Sequence, residues 1–461
     1  MEIIKISDKN PWWQNKKYIY EDEKISMFES ATIKFYPELQ IKAKNIYVIR
    51  GPRQVGKTTF LKLKIKELLE KGIEPKSLMF YSCDLFRRPE QISDMLETYA
   101  KWCEPQGITP HTIFLDEITA AADWARAIKY IKNSNIIRDA AIVVTGSNSL
   151  DLKQGAEKLP GRGIEGNEYF YFPICFRLFC KLMGKKLPAP INANEFLEKE
   201  ANKEFIKMLY TLALDKELRR LFNIYLKTGG FLLAINNQQL NVPYPYETYI
   251  RWIEGDLTYF RKDVRFAKQI LSAVNSKNAS QVSINSISKI TEIASPVTAK
   301  EYLSVFEDMQ MLLPLYKYDI SKKELDYKKE KKYHFVDPLM YSLVSQWTET
   351  KMASEEAVIE ATAASHVYRH AYVNKMGIGF YNDGKYEVDI MLMNNNKFIP
   401  LEVKWSEKIG SQEWRGLYKF GRGILLTKND VGFEKGRYLK VPLPVFLSLL
   451  DIPALVPVKY T

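Results

Sequence analysis

The chain has 461 residues, of which 46% are hydrophobic and 26% charged. This ordinary balance argues against disorder, and the length allows two to four domains. The formal net charge of +12 favours a polyanionic partner, nucleic acid first, although a lysine-rich proteome would give the same excess.

Cysteine usage and hydropathy predict a cytoplasmic protein without a membrane partner. The start of the chain is charged from Lys5 onward, which is untypical of a secretory signal. The apolar tail from Val441 to Val458 contains four prolines, so it is not expected to form a membrane helix. The four cysteines have no CxxC spacing and are predicted to be reduced core thiols: Cys83, Cys103, Cys175 and Cys180.

The residues before Asn45 form a lead-in rich in tyrosine and lysine, with Trp12 and Trp13. The two tryptophans could stack on an adenine ring or pack against the core that follows. Packing is the simpler interpretation.

A phosphate-binding loop follows the first predicted strand, Ile46–Ile49. The pattern G-x-x-x-x-G-K-[ST] is met by Gly51, Gly56, Lys57 and Thr58, and a predicted helix from Thr59 to Lys71 comes next. Backbone amides and the helix N-terminus would hold the phosphates of ATP. The predicted cofactor-binding residues are Gly51, Pro52, Arg53, Gln54, Val55, Gly56, Lys57, Thr58 and Thr59.

Two of these side chains have expected roles beyond binding. Lys57 would reach the β- and γ-phosphates and count among the catalytic residues, and the Thr58 hydroxyl would ligate Mg²⁺.

A second chemical stretch runs from His111 to Glu117 and ends in two carboxylates. Asp116, at the end of an apolar strand, is predicted to hold Mg²⁺, and Glu117 is predicted to polarise the attacking water. The chain is therefore predicted to be a Mg²⁺-dependent ATPase.

Strands and helices alternate around these motifs, which predicts an α/β fold with a parallel sheet and ligands at the carboxyl ends of the strands. The predicted elements are a strand over Ser77–Ser82, a helix over Gln91–Trp102, a helix over Asp123–Ile131 and a strand over Ala140–Val144.

Two further candidates lie beyond the last of these strands. Ser147 or Asn148 could bond the attacking water or the γ-phosphate, or could simply cap a turn. Arg162, on a loop between Gly161 and Gly163, could be an arginine finger supplied to a neighbouring subunit, or an ordinary surface arginine. The finger would require a homo-oligomer, with a hexamer as one candidate.

The sequence resembles the prokaryotic AAA+-like ATPases that carry a winged helix and a C-terminal restriction-nuclease-like domain. The resemblance implies a nucleotide-driven switch or motor. The segments that carry it are Gly51–Thr59, Leu115–Glu117, Thr145–Asn148, Leu159–Arg162, Phe172–Arg177 and Gly229–Phe231.

The middle of the chain is predicted to hold a helical lid and a winged helix-turn-helix. The lid runs from Asn194 to Lys268, with the Gly229-Gly230 pair as a hinge or a plain helix cap. In the winged helix, Val282–Ile293 is the first helix and Val297–Gln310 the candidate recognition helix. Wing strands at Met311–Tyr318 and Lys331–Val336 would present four lysines, suited to phosphate contacts or merely solvated: Lys322, Lys323, Lys328 and Lys329.

The C-terminal part is predicted to be a further α/β unit. A helix over Ser354–His370 and a strand near Ile378–Phe380 precede a hairpin of Glu387–Met393 and Phe398–Lys404. If Met393 pairs with Phe398 across a four-residue loop, alternation places Asp389 opposite Glu402 and puts Lys404 on the same face.

This hairpin resembles that of the PD-(D/E)xK nucleases. The resemblance implies that Asp389 and Glu402 bind Mg²⁺ or Mn²⁺, that Lys404 activates water, and that Glu360 completes the site. A cross-strand salt cluster and a nuclease fold kept only for binding DNA are the alternatives.

His366 and His370 lie four residues apart on the predicted helix. They could share a metal ion, but without neighbouring acidic or cysteine ligands they are predicted to be surface histidines.

The sequence thus predicts four parts: an AAA+-like ATPase core with its lead-in over 1–192, a helical lid over 193–275, a winged helix over 276–350 and a nuclease-like domain over 351–461. The predicted function is an ATPase that binds double-stranded or branched DNA and remodels, translocates on or processes it. The alternative is a slow regulatory ATPase that acts through protein partners and has an inactive nuclease-like domain.

Overall fold

The computed structural model describes residues 1–133, 137, 139–146, 149–159, 161, 163–199, 202–276, 281–282, 284–293, 295–394, 397–410, 413–434 and 437–457. The chain forms two compact units, Met1–Phe172 with Ala454–Thr461 and Pro173–Pro453. We call them the N-terminal unit and the C-terminal unit.

The N-terminal unit is built on the predicted parallel sheet. Its strands are β1 (Ile46–Arg50), β2 (Leu78–Ser82), β3 (Thr112–Asp116), β4 (Ala141–Gly146) and β5 (Glu168–Tyr171). They lie in the order β5-β1-β4-β3-β2, all parallel, and a last strand, Leu455–Pro457, adds to β5 in the antiparallel direction.

Helices alternate with these strands, as the sequence predicts. Every residue of β1, β3 and β4 is buried, which requires cover on both faces of the sheet and explains why these strands are continuous apolar runs. The helices are α1 (Ile3–Ser7), α2 (Glu23–Ser30), α3 (Lys57–Glu70), α4 (Pro89–Cys103), α5 (Trp124–Lys132) and α6 (Ser149–Glu157).

The lead-in is part of this core. The indole N–H groups of Trp12 and Trp13 both donate to the carbonyl of Leu78, at 3.0 and 2.8 Å. Trp13 also stacks on Tyr99 and Trp102. Packing against the core is therefore the correct interpretation of the tryptophans, and the four cysteines are free and buried as predicted.

The C-terminal unit begins with helices. The glycine pair at 229 and 230 separates two of them, as predicted. The helices are α7 (Phe176–Leu182), α8 (Ala193–Glu198), α9 (Lys203–Ala213), α10 (Lys216–Thr228), α11 (Leu232–Gln239), α12 (Tyr246–Tyr259) and α13 (Val264–Ser276).

Short helices and a long hairpin follow. They are β6 (Gln281–Val282), α14 (Ile284–Ile290), α15 (Pro296–Asp308), β7 (Leu312–Asp319), β8 (Glu324–Phe335) and α16 (Leu339–Thr348). Because β8 begins at Glu324, Lys328 and Lys329 lie within a strand, and the prediction that they belong to the connection between the wing strands is wrong.

The rest of the unit alternates between helix and strand. It comprises α17 (Glu355–Val373), β9 (Gly377–Asn382), β10 (Glu387–Asn394), β11 (Lys397–Lys404), α18 (Arg415–Tyr418), β12 (Gly423–Thr427), β13 (Gly432–Glu434), β14 (Tyr438–Pro442) and α19 (Leu443–Leu449).

One nine-stranded sheet runs through this unit in the order β13-β14-β12-β11-β10-β9-β7-β8-β6. The hairpin β7–β8 joins it where Tyr316 pairs with Gly379 of β9 in parallel. A Cβ atom at Gly379 would lie 2.4 Å from the Tyr316 carbonyl oxygen, so glycine permits this close approach. The sheet therefore spans residues that the sequence divides between a winged helix and a nuclease-like domain.

The hairpin β10–β11 has the predicted register, with Met393 opposite Phe398. Asn394 and Lys397 also pair, so the connection is shorter than the predicted four residues. The pairing of β10 with β9 shifts between Val388 and Met391. Such an irregularity changes the direction in which the side chains of β10 point near these residues.

Candidate active site

The loop between β1 and α3 has the conformation that its sequence requires. Gly56 has φ of 105° and Gln54 φ of 60°, and the left-handed turn at Gly56 is one that glycine adopts at little cost. Helix α3 begins at Lys57, so its N-terminal amides and the positive end of its dipole lie at the loop. The geometry is that of an anion cradle.

Lys57 is the basic side chain of this cradle. Its side chain curls back onto the loop, where Nζ donates to the carbonyl oxygens of Gly51 at 2.8 Å and Pro52 at 3.1 Å. Only 5% of the residue is exposed. The ammonium group is thus held at the loop itself.

Asp116, at the carboxyl end of β3, is bound by two hydroxyl groups. Thr58 Oγ1 donates to one carboxylate oxygen at 2.6 Å, and Thr145 Oγ1, from the end of β4, donates to the other. Burial, followed by the neighbouring Glu117 carboxylate, raises the pKa of Asp116. A buried carboxylate with a hydroxyl beside it is an oxygen donor set that suits Mg²⁺.

Glu117 is held in an unusual backbone conformation. Its φ is 48°, in the left-handed region, which is rare for a non-glycine residue and is typical of functional sites. Its N–H donates to Thr145 Oγ1 at 3.3 Å. Thr145 therefore positions both acidic residues, one through its hydroxyl proton and the other through its lone pair.

This role of Thr145 was not predicted from the sequence. The available signal was a polar residue at the carboxyl end of an apolar strand, the same feature that identifies Asp116. The neighbouring candidates Ser147 and Asn148, and the candidate arginine finger Arg162, lie outside the described residues.

A second group of charged side chains lies in the C-terminal unit. We call it the carboxylate cluster, and it includes all four residues predicted for the nuclease-like site. Its members are Lys332 (β8), Glu360 (α17), Glu387 and Asp389 (β10), and Glu402 and Lys404 (β11).

Lys332, which was not predicted to belong to a site, contacts three members of the cluster. Its Nζ lies 3.2 Å from Glu360 Oε1, 2.9 Å from Glu387 Oε1 and 3.1 Å from Asp389 Oδ1. In sequence it is one of several lysines in a basic stretch, and only the attachment of β7–β8 to the C-terminal sheet brings it to the carboxylates.

The pKa values of Asp389 and Glu402 shift in opposite directions. Burial by itself would raise the pKa of Asp389, but Lys332, and after it Lys404, outweighs burial and lowers the pKa. Burial, followed by the Asp389 carboxylate, raises the pKa of Glu402 to about 8, although Glu402 Oε1 lies 2.7 Å from Lys404 Nζ. Burial and then Asp389 also raise the pKa of Glu360 to about 8.

The prediction that His366 and His370 are surface residues is wrong, because both are 0% exposed. His366 Nε2 accepts from the Phe176 N–H at 2.9 Å, and its Nδ1 lies 2.8 Å from the Thr362 carbonyl. His370 makes the same two kinds of bond, to the Ala193 N–H and the Asp451 carbonyl. Both rings tie backbone segments together in their neutral form.

Because His366 is buried in its neutral form, we expect the protein to lose stability in acid. Burial, then Arg369, lowers the pKa of His366 to about 3, whereas an unfolded histidine has a pKa near 6.5. The unfolded state therefore binds more protons below pH ~6.5. The free energy of unfolding should fall from there towards pH ~3, by up to about 1.4 kcal/mol per pH unit for this group.

Urea unfolding of wild type and His366→Gln across this range measures the effect. The variant should be less stable at neutral pH, and the difference from wild type should shrink as the pH falls. Parallel stability curves would show that His366 does not titrate on unfolding.

Comparison with known proteins agrees with the N-terminal site. A family model described as "AAA domain" matches residues 43–180, which include the phosphate loop and both acidic residues. This segment is thus similar to AAA domains, and the similarity agrees with a P-loop nucleotide site. A second model, "Domain of unknown function (DUF4143)", matches residues 355–446.

More distant comparisons add little. No curated protein is significantly similar in sequence. Among solved structures, Cdc6p from Pyrobaculum aerophilum matches with 11% identity over 66% of this chain and 87% of that one, at a TM-score of 0.19. AMPPCP-bound DnaA from Aquifex aeolicus matches with 15% identity over 58% and 83% of the two chains, at 0.20. Scores this low support no argument about fold or activity.

No helix in the described part of the chain is both long and apolar enough to cross a membrane. No group of three or more His, Cys, Asp or Glu residues there is placed to hold a metal ion.

Proposed function

We propose that this protein hydrolyses ATP at the N-terminal site and uses the cycle to act on DNA. The observation that carries the proposal is the meeting of Lys57, Thr58 and Asp116 at one edge of the sheet, with Glu117 next to them. A cationic cradle, a hydroxyl–carboxylate pair and a second carboxylate are the parts that phosphoryl transfer to water requires.

Each side chain has a defined task. Lys57 would exchange the Gly51 and Pro52 carbonyls for phosphate oxygens, since a phosphate is the stronger acceptor. Thr58 and Asp116 would hold Mg²⁺, which neutralises charge on the phosphates when bound. Glu117 would orient and polarise the water, and Thr145 keeps both acidic residues in place.

Two residue roles in the proposed ATPase cycle are assigned from the sequence alone. Asn148 would bond the water or the γ-phosphate, and Arg162 would act on the nucleotide of a neighbouring subunit. On this proposal the active form is a homo-oligomer, with a hexamer as the first candidate, and α8–α13 form the lid.

The hairpin β7–β8 supports DNA as the partner. Lys322 and Lys323 at its tip and Lys328 and Lys329 on β8 are all exposed, in a chain of net charge +12. With α13, α14, α15 and β6, the hairpin has the element order of a winged helix. The exposed positions of α15 include the acidic Glu301, so we assign the contacts to phosphates rather than to bases.

ATPase assays with DNA test this proposal. Double-stranded or branched DNA should raise the rate of phosphate release at low salt, and added salt should remove the stimulation because phosphate contacts release counterions. Replacing the four hairpin lysines by alanine should abolish the stimulation and leave the rate without DNA unchanged.

A matched variant controls for net charge. Lys203, Lys207, Lys216 and Lys227 are also exposed, and their replacement by alanine should leave the stimulation intact. Equal losses in both variants, or no response to DNA at low salt, would contradict the proposal. Nucleotide-dependent assembly without DNA affinity would favour the regulatory ATPase that acts through protein partners.

A further inference from the structure

The Lys332 ammonium lies where three carboxylates from two elements converge. Glu360 comes from α17, whereas Glu387 and Asp389 come from β10. Each places one oxygen within 3.2 Å of Nζ. An ammonium group has three N–H donors and no acceptor, so these three oxygens match its full bonding capacity.

The backbone keeps Lys332 at this position. It pairs with Leu315 of β7 on one side and with Gln281 of β6 on the other, and only 2% of its side chain is exposed. A surface lysine keeps much of its side-chain freedom, whereas this one is fixed at its backbone and enclosed along its length. Withdrawal of the ammonium would leave Glu360 and the buried Asp389 without their cation, which is costly.

A divalent metal ion does not fit this arrangement. Mg²⁺ needs its oxygen ligands at about 2.0–2.1 Å, and the point between Glu360 and Asp389 is already taken by a positive charge. A metal ion beside the ammonium would be repelled by it at about 3 Å. With the lysine in place the acidic residues are spread around it, and no three of them in the described residues are placed to bind a metal.

Glu402 is the carboxylate of the cluster that Lys332 does not contact in the described residues. The residue is 5% exposed, and its Oε2 is buried without a hydrogen-bond partner among the described residues. Its Oε1 is bound by Lys404. Glu402 Oε2 is therefore a carboxylate oxygen to which neither Lys332 nor Lys404 donates a hydrogen bond.

We propose that Lys332 is the resident cation of the carboxylate cluster and replaces the divalent metal that the C-terminal hairpin would otherwise bind. The C-terminal unit then needs no metal and does not cleave nucleic acid by metal-dependent hydrolysis. Its carboxylates serve to join the hairpin β7–β8 to α17 and β10. This inference is independent of the ATPase activity proposed above.

Removing the lysine should create the missing metal site. We would titrate Mn²⁺, without nucleotide, into wild type, Lys332→Met, Lys332→Met/Asp389→Asn and Lys331→Met, and count bound ions by electron paramagnetic resonance. Lys332→Met should bind one more Mn²⁺ per chain than wild type. The double variant and Lys331→Met, whose lysine pairs with Glu307 instead, should return to the wild-type number.

A measurement on unaltered protein covers the case in which Lys332→Met does not fold. Brief acetylation of native wild type should modify Lys332 at least about tenfold more slowly than the exposed Lys328 and Lys329, because a buried and paired amine is protected. Added Mn²⁺ should not change the rate at Lys332.

Several results would overturn the proposal. One is a Mn²⁺ ion in wild type that is lost in Asp389→Asn. Others are acetylation of Lys332 as fast as of Lys328, a folded Lys332→Met with no additional ion, and Asp389-dependent nicking of plasmid DNA by wild type with Mn²⁺.

Discussion

Glu117→Gln should bind ATP with almost unchanged affinity and lose between about 10² and 10⁴ in the rate of hydrolysis, the usual contribution of a general base. Gln has nearly the same shape and can still accept the contacts of the carboxylate, but it cannot take up a proton from water. The left-handed backbone at Glu117 and its N–H bond to Thr145 do not depend on the side-chain charge, so the site should keep its geometry.

Phosphate release at saturating ATP, with nucleotide binding measured in parallel, distinguishes a loss of hydrolysis from a loss of ATP affinity. Glu90→Gln is a suitable control, since Glu90 is an exposed acidic residue of the same unit and its loss should leave both quantities unchanged. Wild-type turnover in Glu117→Gln would remove Glu117 from the mechanism.

The nucleotide site could be predicted from sequence because its parts are local. The glycine-flanked loop, the strand before it and the helix after it are contiguous, and Asp116 and Glu117 directly end an apolar strand. The parallel order of β1, β4 and β3 then brings the separate segments to one edge. Thr145 was missed because a threonine at a strand end has many equally ordinary explanations.

The C-terminal unit shows what sequence patterns leave undetermined. The register of β10 and β11 follows from alternation between two neighbouring strands, and it was predicted. The pairing of β7 with β9 joins Tyr316 to Gly379, which are 63 positions apart in sequence, and no local pattern specifies it. The position of Lys332 depends on that pairing.

Histidine burial was missed for a related reason. His366 and His370 lie on a helix with few charged residues, and spacing alone does not distinguish an exposed face from a buried one. Their partners, such as the Phe176 and Ala193 N–H groups, are more than a hundred residues away in sequence. Only the tertiary structure shows that both rings connect segments of the C-terminal unit.

The second large effect concerns Lys57. Lys57→Ala should weaken ATP binding by roughly a hundredfold or more, because at least two charge-assisted hydrogen bonds to phosphate are lost, each contributing about 1.5–3 kcal/mol. The loop itself should survive, since its turn depends on Gly56 and its attachment on β1 and α3. Lys71→Ala, at the exposed end of the same helix, should bind ATP as wild type does.

Calorimetric titration of ATP with Mg²⁺ into wild type, Lys57→Ala and Lys71→Ala tests most directly whether the phosphates bind in this loop. We expect one ATP per chain in wild type and in Lys71→Ala, and a loss of binding in Lys57→Ala that still unfolds cooperatively. Equal affinity in all three proteins would contradict the assignment of the nucleotide to this edge of the sheet.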